Sequence, residues 1–375
     1  MKKIFFYSIV SLFILVSIEK VNAQPKKLTG VFAHTCGIVV DSKGNVFVTS
    51  RSDKIYKITP AGKAEFFVGG GRGYKDGKGK DVGFYSAEGI AIDASDNLYI
   101  ADGSRVRKIT PDAVVTTIAG SLTAAVKDGD HSVATFLNLE NIAIDPSGNI
   151  YVTDYSPGKD WHPGQIANSG EYLIRKIAAD GQVTTLKDGN NNLLILKYPR
   201  GLGCDKEGNL YINASVSHCI KKISPAGVIT TFAGQCDKTV YNSVYKEGPV
   251  STAILTNPTG MAIADNGDVY ITDSRLHRII KIANGKVTTA AGSGKFNFSG
   301  NPAGAAEPGY SDGKGAAARF NSPWGIAFDR NGNLFIVDAS SSNNSYIRKM
   351  TSDGTVTTFC KHEWNPKTSQ YEEVE

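Results

Sequence analysis

A chain of 375 residues has room for one large repeat domain and little beside it. Its formal charge of +5, with 21% charged residues, is too balanced for a dedicated nucleic-acid or polybasic membrane surface. Five cysteines, with no C-x-x-C and no zinc-type Cys/His spacing, exclude a zinc ribbon and leave at least one thiol unpaired within a monomer.

Residues 1–23 have the layout of a secretory signal peptide. Lys2 and Lys3 form the basic start, Ile4 to Ile18 the apolar core, and Val21-Asn22-Ala23 a cleavage site before Gln24. An apolar run of about fifteen residues is short for a bilayer span, which takes roughly twenty. Export is therefore expected, to the periplasm, the cell surface or the medium, with no membrane span in the mature chain. Residues 24–36 form a lead segment, and Leu28 to Ala33 could make a short strand.

From Gly37 the chain repeats. Glu88 to Gly120 is the clearest unit: four short β-branched runs (Ile90 to Ile92, Leu98 to Ala101, Val106 to Ile109, Val114 to Ile118) separated by turn residues. First strands start at Gly37, Gly89, Asn141, Gly201, Gly260 and Gly325. Most first strands are followed by a D-x-x-G-N turn, then by a second strand such as Leu98-Tyr99-Ile100 or Leu334-Phe335-Ile336. Third strands end in a basic-apolar signature (Val106-Arg107-Lys108-Ile109), and fourth strands read V-T-T or similar. Small residues in first strands and aromatic ones in second strands match blades that crowd at an axis and spread at a rim. The fold class is all-β, a six-bladed β-propeller of four-stranded antiparallel blades over residues 37–364, closed without strand exchange. The last fourth strand is expected at Thr355 to Phe359, with residues 365–375 a polar, frayed tail.

These units resemble NHL repeats, in which a G-[IVL]-A-[VI]-D strand precedes N-[LIV]-Y-[VI]-[AT]-D and R-I-x-K. Gly89 to Asp102, Ile142 to Asp154, Gly260 to Asp273 and Gly325 to Asp338 carry the likeness. So does Y-x-D-G-x-G-x-x-x-x-F at Tyr74 to Phe84 and Tyr310 to Phe320, which is similar to linkers of bacterial exported NHL proteins. The resemblance covers roughly residues 37 to 360. It implies the propeller fold and little about function, because the family spans protein-binding, RNA-binding and enzymatic members.

Long inter-blade segments and the loops between second and third strands share one face, where binding would sit. Residues ahead of each first strand should line the channel mouth there: Cys36, Glu88, Glu140, Arg200, Thr259 and Trp324. In blade three, the insertion Tyr155 to Tyr172 brings Trp161 and His162, expected to wall a pocket beside Glu140. The recurrent Asp102, Asp154, Asp273 and Asp338 should cap backbone N–H groups of the following turn. Asp76-Gly77, Asp128-Gly129 and Asp312-Gly313 lack EF-hand spacing and suit turns tucked down by Phe84, Phe136 and Phe320. Cys219 opens a third strand and Cys236 follows the adjacent fourth, so these two are the best disulfide pair. No catalytic residue, metal ligand or cofactor is assigned. The expected function is a monomeric, non-catalytic binding or scaffold propeller taking a protein or a small polar ligand. The alternative is a metal-assisted lyase or lactonase of the gluconolactonase or peptidyl-amide-lyase propeller type on the same face.

Overall fold

The computed structural model describes residues 37–49, 53–155, 171–215, 217–236, 245–292, 308–339, 345–365 and 370–373. Within them lie six antiparallel blades, each running inner to outer in chain order. Blade 1 spans Ile38–Val40 to Ala64–Val68, blade 2 Ala87–Ile92 to Val114–Gly120, and blade 3 Leu139–Ile144 to Gln182–Thr185. Blade 4 spans Pro199–Cys204 to Ile229–Gly234, blade 5 Pro258–Ile263 to Lys286–Gly292, and blade 6 Pro323–Phe328 to Thr355–Asn365. The six inner strands touch in sequence around the axis, and Ile38–Val40 meets Pro323–Phe328 to close the ring.

Each blade buries its faces against its neighbours. One apolar cluster fills each of the six gaps, including one that joins Ile38, Val46 and Ile58 to Phe335, Val337 and Ile347 across the closure. Blade 1 keeps its own four strands and so does blade 6. Leu28 to Ala33 and the signal-like segment lie outside the described residues.

Glycine at the inner strands follows from crowding at the axis. A Cβ on Gly260 would stand 2.1 Å from the Trp324 carbonyl oxygen, and one on Gly201 2.4 Å from that of Thr259. Only a residue without a side chain lets adjacent inner strands approach so closely. At the opposite face the D-x-x-G-N turns are Asx turns. Asp145 Oδ1 accepts from the backbone N–H groups of Ser147 and Asn149, and Asp145 Oδ2 from the Asn149 amide.

The basic signature of the third strand has an unexpected use. Arg107, Arg175 and Arg348 are fully buried. Arg175 Nη1 donates to Asp154 Oδ2 (3.0 Å) and Thr135 O (3.1 Å); Nη2 donates to Asp128 Oδ1 and Lys127 O, both at 2.9 Å. Its guanidinium also lies over the Phe136 ring. Arg107 repeats this with Asp102, Asp76 and Phe84, and Arg348 with Asp338, Asp312 and Phe320. The Asp-Gly turn is thus clamped between a buried arginine and the outer strand, where Asp128 also accepts from Thr185 N–H and Oγ1–H. Blade 5 varies the theme: Tyr245 stacks on Arg278, and Glu247 takes the outer-strand N–H of Thr289.

Several expectations are corrected here. Asp102, Asp154 and Asp338 cap the segment that leads into their own blade, through Tyr85 and Ser86, Leu137 and Asn138, and Asn321 respectively. Asp273 caps the turn that follows it, through Leu276 N–H, and the segments that follow Asp154 and Asp338 lie largely outside the described residues. Blades 2, 3, 5 and 6 gain a two-residue outermost strand from the preceding linker, at Gly77–Lys78, Gly129–Asp130, Gly248–Pro249 and Gly313–Lys314. The last strand runs on to Asn365, and Gln370–Glu373 pairs back onto it, where a frayed tail was expected. Backbone pairing needs no apolar alternation, so this polar hairpin left no pattern to read.

Candidate functional site

Five inner strands carry a register shift at their first residues: Ala87/Ile90, Leu139/Ile142, Pro199/Gly201, Pro258/Met261 and Pro323/Ile326. Such a bulge re-aims the side chains within it. Here those are Glu88, Glu140, Arg200, Thr259 and Trp324. Second-strand polar groups fix the bulges across blade boundaries. Thr49 Oγ1 donates to the Glu88 carbonyl, Asn213 Nδ2 to the Thr259 carbonyl (2.9 Å) and Thr272 Oγ1 to the Trp324 carbonyl (2.6 Å).

The structure brings Glu88, Glu140, Arg200 and Trp324 to one cavity on the axis, about 90 Å³ in volume, floored by Ile38, Ile90 and Met261. Each polar member is held. Glu140 accepts from the Tyr155 hydroxyl at 2.9 Å, and Tyr155 packs on Tyr172 with ring centroids 4.3 Å apart. Burial pushes both phenols above their ordinary value, with Glu140 adding to the effect, so both stay protonated donors beside the carboxylate. Glu88 accepts from Ser86 Oγ (3.2 Å), and the Arg200 guanidinium lies 5.1 Å from the Trp324 ring centroid.

Thr259 does not join them. It is fully buried, and its hydroxyl donates to the Thr272 carbonyl at 3.1 Å. A short side chain that can satisfy itself on the neighbouring strand has no reason to face the channel. Cys36, Trp161 and His162 lie outside the described residues. The stem of their insertion is described: Glu171–Ile177 pairs at its start with Ile195–Lys197, a strand absent from the repeat pattern. Cys219 and Cys236 form a disulfide, Cys204 is a free thiol, and burial pushes the latter far above its ordinary value.

A second cavity went unseen in the sequence. It opens between blades 4 and 5 on the same face, holds about 400 Å³, and uses Arg200 as the wall it shares with the axial mouth. Tyr198, His218 and Arg275 also line it. No repeat position marks them, and Tyr198 and His218 both take positive φ, which only local context could foretell.

The approach to Trp324 depends on a histidine in the neighbouring blade. His277 Nδ1 accepts from Ser322 N–H at 2.9 Å, and burial holds its pKa below the ordinary value of 6.5. Protonation would set two donors face to face. The contact therefore stabilises the fold at neutral pH and is lost as pH falls from the unfolded histidine value through the lower folded one. His277→Gln, which keeps an acceptor and cannot be protonated, should flatten the decline in melting temperature between neutral and mildly acidic pH. An unchanged decline would mean that the contact carries no such linkage.

Among the described residues no group of three His, Cys, Asp or Glu side chains is placed to hold a metal ion. No helix among them is long and apolar enough to cross a membrane.

Comparisons with known proteins place the fold. The NHL repeat model matches residues 255–282. The Arabidopsis thaliana Protein SUPPRESSOR OF QUENCHING 1, chloroplastic, is 28% identical over 296 residues, which cover 74% of this chain and 26% of that protein. The chain thus spans about a quarter of that relative's length. Among solved structures, an auxiliary nutrient binding protein from Bacteroides thetaiotaomicron superposes with a TM-score of 0.59 at 17% identity, covering 87% of this chain and 69% of that one. A streptogramin B lyase superposes with a TM-score of 0.52 at 12% identity, covering 93% and 95%. At these identities the likeness is one of fold.

Proposed function

We propose that this six-bladed propeller of NHL repeats is an exported, non-catalytic module that binds a small polar ligand or a protein partner on its loop-rich face. One observation carries the reading: backbone bulges deliver two carboxylates, a guanidinium and an indole to a single mouth, with aromatic groups holding Glu140 and Arg200 in place. An axial cavity of about 90 Å³ holds a few waters, well below the several hundred Å³ usual for a ligand pocket. The bound group would therefore lie over the mouth, with Trp161 and His162 of the blade-3 insertion as its outer wall.

The fold is shared by a binding protein and a lyase alike, so the choice rests on the mouth itself. Both mouth carboxylates already accept hydrogen bonds, from Ser86 and Tyr155, and among the described residues no further His, Cys, Asp or Glu joins them in a group of three that could hold a metal ion. That ligand set does not suit a resident metal.

The test is a thermal-shift screen of the full chain against amino acids, sugar acids and sugar phosphates. Any stabilising compound should then lose affinity by roughly ten-fold or more, about 1.4 kcal/mol, in Glu140→Gln and in Trp324→Ala. Trp161→Ala should do the same with little change in melting temperature. A compound that binds all three variants as it binds the wild type would remove the axial mouth from consideration.

A further inference from the structure

The cavity between blades 4 and 5 differs in chemistry from the axial mouth. The mouth carries Glu88 and Glu140, whereas no carboxylate is among the residues lining the second cavity. Its wall offers two guanidinium groups, Arg200 from the bulge of blade 4 and Arg275 from the loop between the second and third strands of blade 5. Among the described residues Arg200 has one partner, the Trp324 ring, which fixes the plane of its fork and leaves its N–H groups unspent on any carboxylate. Arg275 is exposed.

The remaining wall is polar and already braced. His218 Nδ1 lies 3.0 Å from the carbonyl oxygens of Leu255 and Thr256, so this nitrogen carries the hydrogen and the ring cannot turn. Ser215 Oγ donates to Pro258 O at 2.7 Å, and Asn257 Nδ2 to Ser274 Oγ at 2.8 Å. Tyr198, 40% exposed, is part of the lining and lies against Tyr172 with ring centroids 6.4 Å apart. A volume of about 400 Å³ suits one sugar-sized molecule.

We infer that this cavity is an oxyanion-binding pocket, in which Arg200 and Arg275 grip the carboxylate or phosphate of a small hydroxylated ligand and Tyr198 covers its apolar face. Guanidinium forks match both anions with paired N–H···O bonds, and a wall without acids imposes no repulsion on them. The inference rests on the binding reading given above but adds a separate pocket with its own residues. Because Arg200 belongs to both cavities, Arg275 is the residue that tells them apart.

The experiment is titration calorimetry of the full chain with inorganic phosphate, D-glucuronate and neutral D-glucose, at low and high salt. Both anions should bind at low salt, weaken at high salt, and bind better than glucose. Arg275→Ala should weaken the anions by roughly ten-fold or more, and Arg275→Lys, which keeps the charge without the fork, by less. Tighter binding of phosphate would identify a phosphorylated ligand and tighter binding of glucuronate a sugar acid; either supports the pocket. Anion binding that survives Arg275→Ala but is lost in Glu140→Gln would overturn the pocket and leave the axial mouth standing. No anion binding by the wild type, or equal binding of glucuronate and glucose, would overturn the pocket outright.

Discussion

Arg175→Ala should lower the unfolding free energy of the propeller by about 3–5 kcal/mol, measured by chemical denaturation at neutral pH. The side chain is fully buried and joins four acceptors from the second strand and from the linker entering its own blade. Removing it strands Asp154, which is also fully buried. Burial already pushes the Asp154 carboxyl up to about 7, against the opposing pull of Arg175 and two backbone N–H donors. With Arg175 gone the carboxyl must rise further. An acid with a raised folded pKa is penalised as pH climbs past its unfolded value of 3.8, and because both folded proteins keep this carboxyl protonated below about 7 they should lose stability in parallel there, the gap between variant and wild type widening only as pH rises above about 7. Lys176→Ala, one residue on and facing outward over Tyr151, should cost far less. Equal losses from the two changes would show that the buried arginine is not what ties the linker to the blade.

That arginine also marks the limit of what the chain discloses. Blade number, strand order and the inner position of each glycine-led strand followed from spacing and from the small-to-aromatic taper, because crowding at an axis acts on residue size. Glu88, Glu140, Arg200 and Trp324 could be placed at the mouth because each precedes the residue that starts an inner strand, a glycine in every case but Asn141. Their orientation depends on bulges, which shift register without changing composition. Arg107, Arg175 and Arg348 stood in the sequence only as part of a basic-apolar signature; nothing local says that Asp-Gly turns from the linker fold over them. Thr259 sat in the right place and turned inward, since a hydroxyl can be satisfied by the adjacent strand. The two-residue outer strands of blades 2, 3 and 6 fall on recurring Asp-Gly pairs whose pairing partner no local pattern names, and the cavity behind Arg200 is lined by positions that do not recur between blades.

Replacing both Cys219 and Cys236 with serine should destabilise the protein by about 3 kcal/mol, a loss set by the 17-residue separation that the bond closes in the unfolded chain. The two cysteines join the start of the third strand of blade 4 to the segment after its fourth, directly beside His218. The effect should thus have a local part. His218 lines the cavity between blades 4 and 5, takes a positive φ and directly precedes Cys219. The serine variant should then bind phosphate or glucuronate more weakly even at temperatures where it is fully folded. The same bond bears on location, because a disulfide of this kind persists where thiols are kept oxidised. Protein recovered from its native host should begin at Gln24 and resist alkylation at both positions until it is unfolded and reduced. Alkylation of Cys219 and Cys236 in freshly prepared protein that still begins at Met1 would overturn both the bond and the proposed export.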